Sequence, residues 1–118
     1  MAKQLILNAT ECILQLTGFH RIAALKHEIS MDYAMIQSVH IGTFDSPFWM
    51  LKMPGTAIPG FSIYEGSFWH AKEWYFLSYE SRGEHVIIEL HGHDKYTYVI
   101  FDIENSEHVV AQLKQRLR

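Results

Sequence analysis

Eight histidines are the residues of this 118-residue chain with the most obvious capacity for chemistry. His91 and His93 stand two positions apart, so in an extended segment both side chains leave the same face. His85 begins the predicted strand before them, and Asp94 follows the pair. Imidazole pairs of this kind can bind zinc, with a third ligand and an open position for catalysis. A metal site on His85, His91 and His93, in a metal-binding protein or a metal-dependent enzyme, is therefore one hypothesis.

The cupin metal site is the natural comparison, because it also places a His-x-His pair on a β-barrel. That pattern expects a glycine where this chain has His85, and a glutamate shortly after the second histidine. The residues that follow His93 are Asp94, Lys95, Tyr96, Thr97 and Tyr98. Because the pattern fails at both places, a polar hairpin turn with solvated histidines is the favoured interpretation.

Neither the single cysteine nor the paired carboxylates indicate catalysis. Cys12 alternates with Leu14 and Leu16 on the apolar side of a predicted strand, so we expect a buried, unreactive thiol. Asp102 and Glu104 share a face by parity, but capping or solvation explains carboxylates that end a strand just before a helix. The chain has no Gly-rich phosphate loop and no Gly-x-Ser-x-Gly nucleophile elbow. We therefore expect a protein that is not an enzyme and needs no cofactor.

The charge balance argues against a nucleic-acid partner. The net charge is −3, with acids and bases mixed along the chain, whereas a nucleic-acid binder normally shows a basic patch or stripe. The aromatic stretch could stack bases, but stacking platforms also need a positive groove. Glutamates outnumber the cations Lys72 and Arg82 around it. Strand and core packing is the favoured role of its aromatic residues, which are Phe68, Trp69, Trp74, Tyr75 and Phe76.

A period of two dominates the chain and predicts strands with one buried face. The predicted strands are 11–17, 25–31, 36–41, 61–64, 67–79, 86–90 and 96–101, with a turn at Glu65-Gly66. Residues 44–61 contain Pro47, Pro54 and Pro59, and proline cannot donate to a sheet ladder. This segment is therefore predicted to be a long loop or an edge excursion.

The loop predicted in the middle of the chain is unusually apolar. Contiguous exposed apolar patches mark interfaces, and Met and Trp are favoured there. On that interpretation Phe48, Trp49, Met50 and Leu51 contact a partner. On the alternative interpretation the loop folds over the mouth of the barrel and fills its core.

The last residues predict an amphipathic helix. Asn105 is a suitable N-cap, and Glu107 lies in the first turn, where a negative charge complements the helix dipole. Val109, Val110, Leu113 and Leu117 recur at helical spacing, so this face must be buried. About seven strands followed by one such helix predict a single mostly-β domain over 1–118. We expect antiparallel strands in a partly open barrel capped by the helix, because closure removes exposed edges.

Several segments carry a resemblance to a known fold. They are 26–31, 36–39, 53–60, 66–69 and 105–107, of which Met53-Pro54-Gly55-Thr56-Ala57-Ile58-Pro59-Gly60 is the most specific. With the element order, they make the chain similar to small bacterial proteins of the pleckstrin-homology-like superfamily. The resemblance implies a scaffold that binds phosphoinositides, peptides or proteins, or that oligomerises.

Phosphoinositide-binding members of that superfamily use several basic residues around the first two strands. Here the region has only Arg21 and Lys26, with Glu11 and Glu28 close by. Inositol-lipid binding is therefore not the first expectation. Peripheral lipid binding through Phe19, His20 and Arg21 stays as a third hypothesis.

The lone cysteine is typical of a reducing compartment, and no targeting or membrane-spanning stretch is visible in the sequence. These observations predict a cytoplasmic protein whose membrane contact, if any, is peripheral, and the resemblance implies a bacterial one. The favoured function is a non-enzymatic binding or assembly module. Its partner would be a protein segment added to a free strand edge, or a second copy of the chain in a homo-oligomer.

Overall fold

The computed structural model of the chain describes residues 3–16, 28–43, 51–58, 63–70, 72–79 and 84–117. Within these ranges nine strands precede one helix. The strands are β1 (Lys3–Leu7), β2 (Glu11–Leu16), β3 (Glu28–Asp32), β4 (Ile36–Thr43), β5 (Leu51–Ile58), β6 (Ile63–His70), β7 (Glu73–Tyr79), β8 (Glu84–Leu90) and β9 (Tyr98–Phe101), and the helix is α1 (Ser106–Arg116). A single 3-10 turn, Tyr33–Met35, joins β3 to β4.

Strands β1, β2 and β3 form a three-stranded antiparallel sheet in chain order. Alternation places Cys12, Leu14 and Leu16 of β2 on the buried face. Ile29 and Met31 of β3 lie on the same face, while Glu28, Ser30 and Asp32 are exposed. This is the one-sided burial that a period of two predicts.

The other six strands form a second sheet in the order β4-β8-β9-β7-β6-β5. The pairs β4–β8, β8–β9, β7–β6 and β6–β5 are antiparallel, whereas β7 and β9 run parallel. A parallel pair needs a long crossover connection, which here includes β8. Strand β9, the last strand in the chain, therefore lies between β8 and β7.

The main core lies between the two sheets and the helix. It combines the buried face of β2 and β3 with one face of the larger sheet and with Val110 and Leu113 of α1. The helix packs mainly on β4 and β8. The contributions of the larger sheet are Ile36, Val39, Phe76, Val86, Ile88, Leu90, Val99 and Phe101.

A second apolar cluster lies on the opposite face of the larger sheet. Strand alternation separates it from the main core: Leu77 and Tyr79 of β7 point opposite to Phe76, and Ile87 opposite to Ile88. Phe68 and Ile100 complete the buried part of this cluster. Its members are between 0% and 9% exposed, so both faces of the central strands are buried.

The mostly-β class and the C-terminal helix are confirmed, but the partly open barrel is wrong. In the described residues the smaller sheet ends in edge strands β1 and β3 and the larger in β4 and β5, so neither closes on itself. The strands are also not all antiparallel, because β9 pairs parallel to β7. Local alternation predicts which face of a strand is buried but does not choose its neighbours.

In the middle of the chain, the loop alternative for 51–58 and the turn at Glu65-Gly66 were wrong. Residues 51–58 form an edge strand, which accommodates Pro54 because an edge strand need not donate on its outer side. Strand β6 runs through Glu65-Gly66, where a turn was expected, and the chain reverses instead after His70. Lys72, with φ 67°, supplies the left-handed residue of that reversal.

The helix begins where the sequence predicts. Asn105 is its N-cap, but it adopts a left-handed conformation, φ 57° and ψ 43°, and its side chain makes no capping hydrogen bond. Asparagine tolerates this conformation better than most residues. No helix among the described residues is long and apolar enough to cross a membrane.

Candidate functional site

The residues predicted to contact a partner lie mostly outside the described ranges. Phe48, Trp49 and Met50 fall in the undescribed segment 44–50, and Leu51 is the first residue of edge strand β5. The three residues of the lipid hypothesis, Phe19, His20 and Arg21, fall in the undescribed segment 17–27. Both sets therefore stay predictions.

The structure does not bring the three histidines of the metal hypothesis together. His85 is near the start of β8 and His91 is just beyond its end. At roughly 3.3 Å per strand residue they stand about 20 Å apart. His91 is exposed, whereas His85 is 2% exposed and faces the second apolar cluster. Among the described residues, no group of three His, Cys, Asp or Glu side chains could hold a metal ion.

His93 joins the β8–β9 loop to the smaller sheet. Its Nδ1 accepts the backbone N–H groups of Lys95 and Tyr96, both at 3.1 Å. Because that nitrogen accepts, the ring proton is on Nε2, which donates to the carbonyl oxygen of Ser30 on β3 at 3.0 Å. His93 thus organises the backbone, a role that its spacing from His91 does not reveal.

His85 is the buried member of a polar row that also contains Tyr79 and Asp102. Its Nδ1 hydrogen-bonds to Oδ1 of Asp102, just beyond the end of β9. Its ring stacks on Tyr79 of β7, with ring centroids 4.2 Å apart. An aspartate that orients a histidine is also found in catalytic sites, but this imidazole is almost fully enclosed. The described contacts therefore support a structural role for this row.

Lys3 is a buried charge that sequence reasoning did not single out. It is 7% exposed, and its Nζ donates to the carbonyl oxygen of Ser78 at 2.6 Å. The same oxygen accepts the backbone N–H of Asp102 at 3.1 Å. The parity of Lys3 with Leu5 and Leu7 in a strand was the available signal. This contact ties the N-terminal strand to the larger sheet.

Cys12 is buried, as its alternation with leucines predicts. Burial raises the pKa of the thiol from 9.0 to about 12, against a smaller lowering by a backbone hydrogen bond. Because the thiolate is the reactive form, a raised pKa makes the thiol a poor nucleophile at neutral pH.

Three of the four edge strands carry features that hinder pairing with another chain. Strand β3 has charged residues at both ends, and its Ser30 carbonyl oxygen accepts a hydrogen bond from His93. Strand β5 contains Lys52 and Pro54 and a register shift between Lys52 and Gly55. Strand β1 is only five residues long and begins with Lys3. Short length, charge, proline and bulges are the usual protections of an edge.

The fourth edge strand, β4, has almost none of these protections. Its eight residues, Ile-Gln-Ser-Val-His-Ile-Gly-Thr, include no proline and no lysine, arginine, aspartate or glutamate. A register shift occurs only at its start, between Ile36 and Ser38. Among the described residues only β8 pairs with it. The backbone groups of β4 that point away from β8 are therefore a template for another strand.

Side-chain exposure along β4 agrees with an accessible edge. Gln37, His40 and Thr43 are exposed, while Ile36 and Val39 are buried toward the core. Strand β4 pairs with β8 along its other edge, and α1 packs against it. This uncharged strand edge is thus the candidate functional site of the described residues.

The chain was compared with protein-family models, with curated proteins and with solved structures, and none of them matches it.

Proposed function

We propose that this chain is a non-enzymatic assembly module that self-associates through the edge of β4. The observation that carries the proposal is the length of this edge combined with its lack of charge and proline. Pairing there satisfies backbone N–H and C=O groups that otherwise bind water. The ligand class is therefore an extended polypeptide strand, and the occupant we propose is a second copy of β4.

Self-pairing fits the chemistry of this strand. Two antiparallel copies of β4 related by a two-fold axis form a closed, isologous contact. Like charges directly opposite one another destabilise a strand pair, and the side chains of β4 carry no Lys, Arg, Asp or Glu charge to bring together. The contact would join the two six-stranded sheets into one continuous sheet.

The apolar residues after β4 complete the proposed interface. Strand β4 ends at Thr43, and Phe48, Trp49, Met50 and Leu51 follow within eight residues of chain. Strand pairing alone buries little apolar surface, and stable interfaces usually contain aromatic anchors in a desolvated centre. We therefore propose these four residues as the side-chain contacts of the dimer.

The test is native mass spectrometry together with light scattering over a range of protein concentrations. The protein is expected at twice the chain mass, dissociating on dilution. The double variant Gln37→Lys/His40→Lys places four lysines near the two-fold axis of the dimer. It should weaken association at least tenfold, because edge lysines oppose strand pairing. A folded, wild-type protein that is monomeric at all concentrations contradicts the proposal.

A matched control adds the same two positive charges on another surface of the protein. Gln112 and Gln115 are exposed on α1, so Gln112→Lys/Gln115→Lys should leave the dimer intact. Circular dichroism of both double variants shows whether they are folded. Equal weakening by the two double variants would point to net charge rather than to the β4 edge.

Trp49→Ala separates the two interpretations of the apolar segment. If Trp49 contacts the second copy, the variant should remain folded and become monomeric. If Trp49 instead fills the core of its own chain, urea denaturation should show a stability loss of about 3–5 kcal/mol.

A further inference from the structure

Two tryptophans stand side by side at the end of the β6–β7 hairpin. Trp69 and Trp74 face each other across the strand pair, with ring centroids 5.3 Å apart in an edge-to-face arrangement. Both are partly exposed. Trp74 packs against the main core, whereas Trp69 belongs to neither apolar cluster. Tryptophans that are not needed to fill a core are common in binding surfaces.

A cation of the chain itself lies on this aromatic surface. The Nζ of Lys95 is 4.8 Å from the ring centroid of Trp74 and 5.4 Å from that of Tyr96. Both distances are within the range in which an ammonium is attracted by an aromatic ring. Tyr96 is 3% exposed, and a 2.6 Å hydrogen bond between its hydroxyl and Ser67 holds its ring in place next to the Lys95 ammonium.

The loop that carries Lys95 does not depend on the lysine side chain. His93 accepts the backbone N–H groups of Lys95 and Tyr96, and the N–H of Thr97 donates to the carbonyl oxygen of Trp74 at 2.9 Å. The loop backbone is therefore held by other groups. Because Lys95 is exposed, its ammonium can leave the rings for water while the loop stays in place.

We propose that Trp69, Trp74 and Tyr96 form a recognition surface for a lysine or arginine side chain of a partner polypeptide. Lys95 occupies this surface in the free protein and is displaced by the incoming cation. The carboxylate of Asp94, which is next to Lys95 in the chain and whose side chain is 94% exposed, adds a negative potential beside the rings. This site is separate from the β4 edge, and the proposal does not rest on self-association.

The test is a titration followed by the indole N–H resonances of Trp49, Trp69 and Trp74 in NMR spectra. The probe is a short glycine–lysine peptide, and its control replaces each lysine by the uncharged norleucine. The lysine peptide should shift the Trp69 and Trp74 signals, and the norleucine peptide should not. Lys95→Gln should tighten binding roughly two- to fivefold, because an exposed cation–π contact contributes about 0.5–1 kcal/mol.

Two further variants separate displacement from simple charge effects. Lys72 lies nearby at the tip of the hairpin but contacts neither ring, so Lys72→Gln removes the same charge without freeing the surface. It should tighten binding less than Lys95→Gln does. Trp69→Leu, outside both apolar clusters, should stay folded and abolish binding. The proposal would be overturned if both peptides shifted the tryptophan signals equally. It would also be overturned if Lys95→Gln bound the lysine peptide no more tightly than the wild type, or if Trp69→Leu bound it as tightly as the wild type.

Discussion

At the scale of single residues, two histidine–aspartate pairs show how burial decides the role of a polar contact. His85 and Asp102 are joined across β8 and the end of β9, and the histidine side chain is 1% exposed. Nδ1 of His93 lies 3.1 Å from Oδ1 of Asp94, but it accepts the N–H groups of Lys95 and Tyr96, and the aspartate is 94% exposed. A hydrogen bond to an enclosed group is costly to leave unmade, whereas water solvates an exposed carboxylate.

Replacing Asp102, which is 28% exposed but hydrogen-bonds the buried His85, should therefore destabilise the protein, and replacing the exposed Asp94 should not. Asp102→Ala leaves the imidazole N–H of His85 without its acceptor, so we expect a loss of about 1–3 kcal/mol. Asp94→Ala is the matched control and should unfold at the wild-type urea concentration. Equal urea midpoints for the two variants would contradict a structural role for the His85–Asp102 pair.

The buried thiol predicts a specific alkaline instability. The folded pKa of Cys12 is about 12, above its ordinary value of 9.0, so the folded state retains a proton that the unfolded state releases. This contribution is complete below pH 9 and is lost as the pH rises toward 12, by up to about 1.4 kcal/mol per pH unit. Urea midpoints at pH 8 and pH 10 should fall more in the wild type than in Cys12→Ala. If the urea midpoint fell equally in both proteins, the loss of stability at alkaline pH would come from groups other than Cys12.

At the scale of elements, the four edge strands illustrate how side chains restrict a backbone that is otherwise ready to pair. Pro54 and Lys52 interrupt β5, and Glu28 and Asp32 flank β3. Strand β4 is longer than β3 and lacks such interruptions. The difference follows from composition alone, but it matters only because these strands lie at the edges of their sheets.

The helix should stabilise the fold through one deeply buried side chain. Leu113 is 0% exposed within the main core, whereas its neighbour Gln112 is exposed. Leu113→Ala removes this contact and leaves a cavity, for which we expect a loss of about 2–5 kcal/mol. Gln112→Ala should leave the urea midpoint unchanged. A small effect of Leu113→Ala would mean that the helix packs only loosely on β4 and β8.

At the scale of the whole molecule, the parallel pair of β7 and β9 places β9 at the centre of the larger sheet. Strand β9 is buried on both faces, with Val99 and Phe101 toward the main core and Ile100 toward the second cluster. Strand β4, in contrast, has a neighbour on one side only among the described residues. Stability is therefore expected to be lowest at this edge and highest at the centre of the sheet.

Hydrogen exchange should show this gradient and its dependence on assembly. Amides of β9 should exchange most slowly at every protein concentration. Amides on the outer side of β4 should exchange quickly in dilute protein and become protected as the concentration rises, because self-pairing gives them acceptors. In Gln37→Lys/His40→Lys the β4 amides should stay unprotected. Concentration-independent exchange in β4 of the wild type would contradict pairing through this edge.

The sequence by itself determined the local features of this protein. Alternation predicted the buried faces of β2 and β3, and it placed Cys12 in the core. The helical spacing of Val110 and Leu113 located α1 and its buried side. These predictions succeed because burial sets the side-chain period along a strand or helix, and the period can be read from neighbouring residues.

Only the tertiary structure decided which elements meet. The sequence did not show that β9 lies between β8 and β7 or that β6 continues through Gly66, and it left open whether the segment containing β5 is a loop or lies at an edge. It also did not reveal that His85 is far from His91, or that Lys95 lies over Trp74. Strand order and such contacts depend on pairing between residues distant in the chain, and a pattern that repeats every second residue is compatible with many partners.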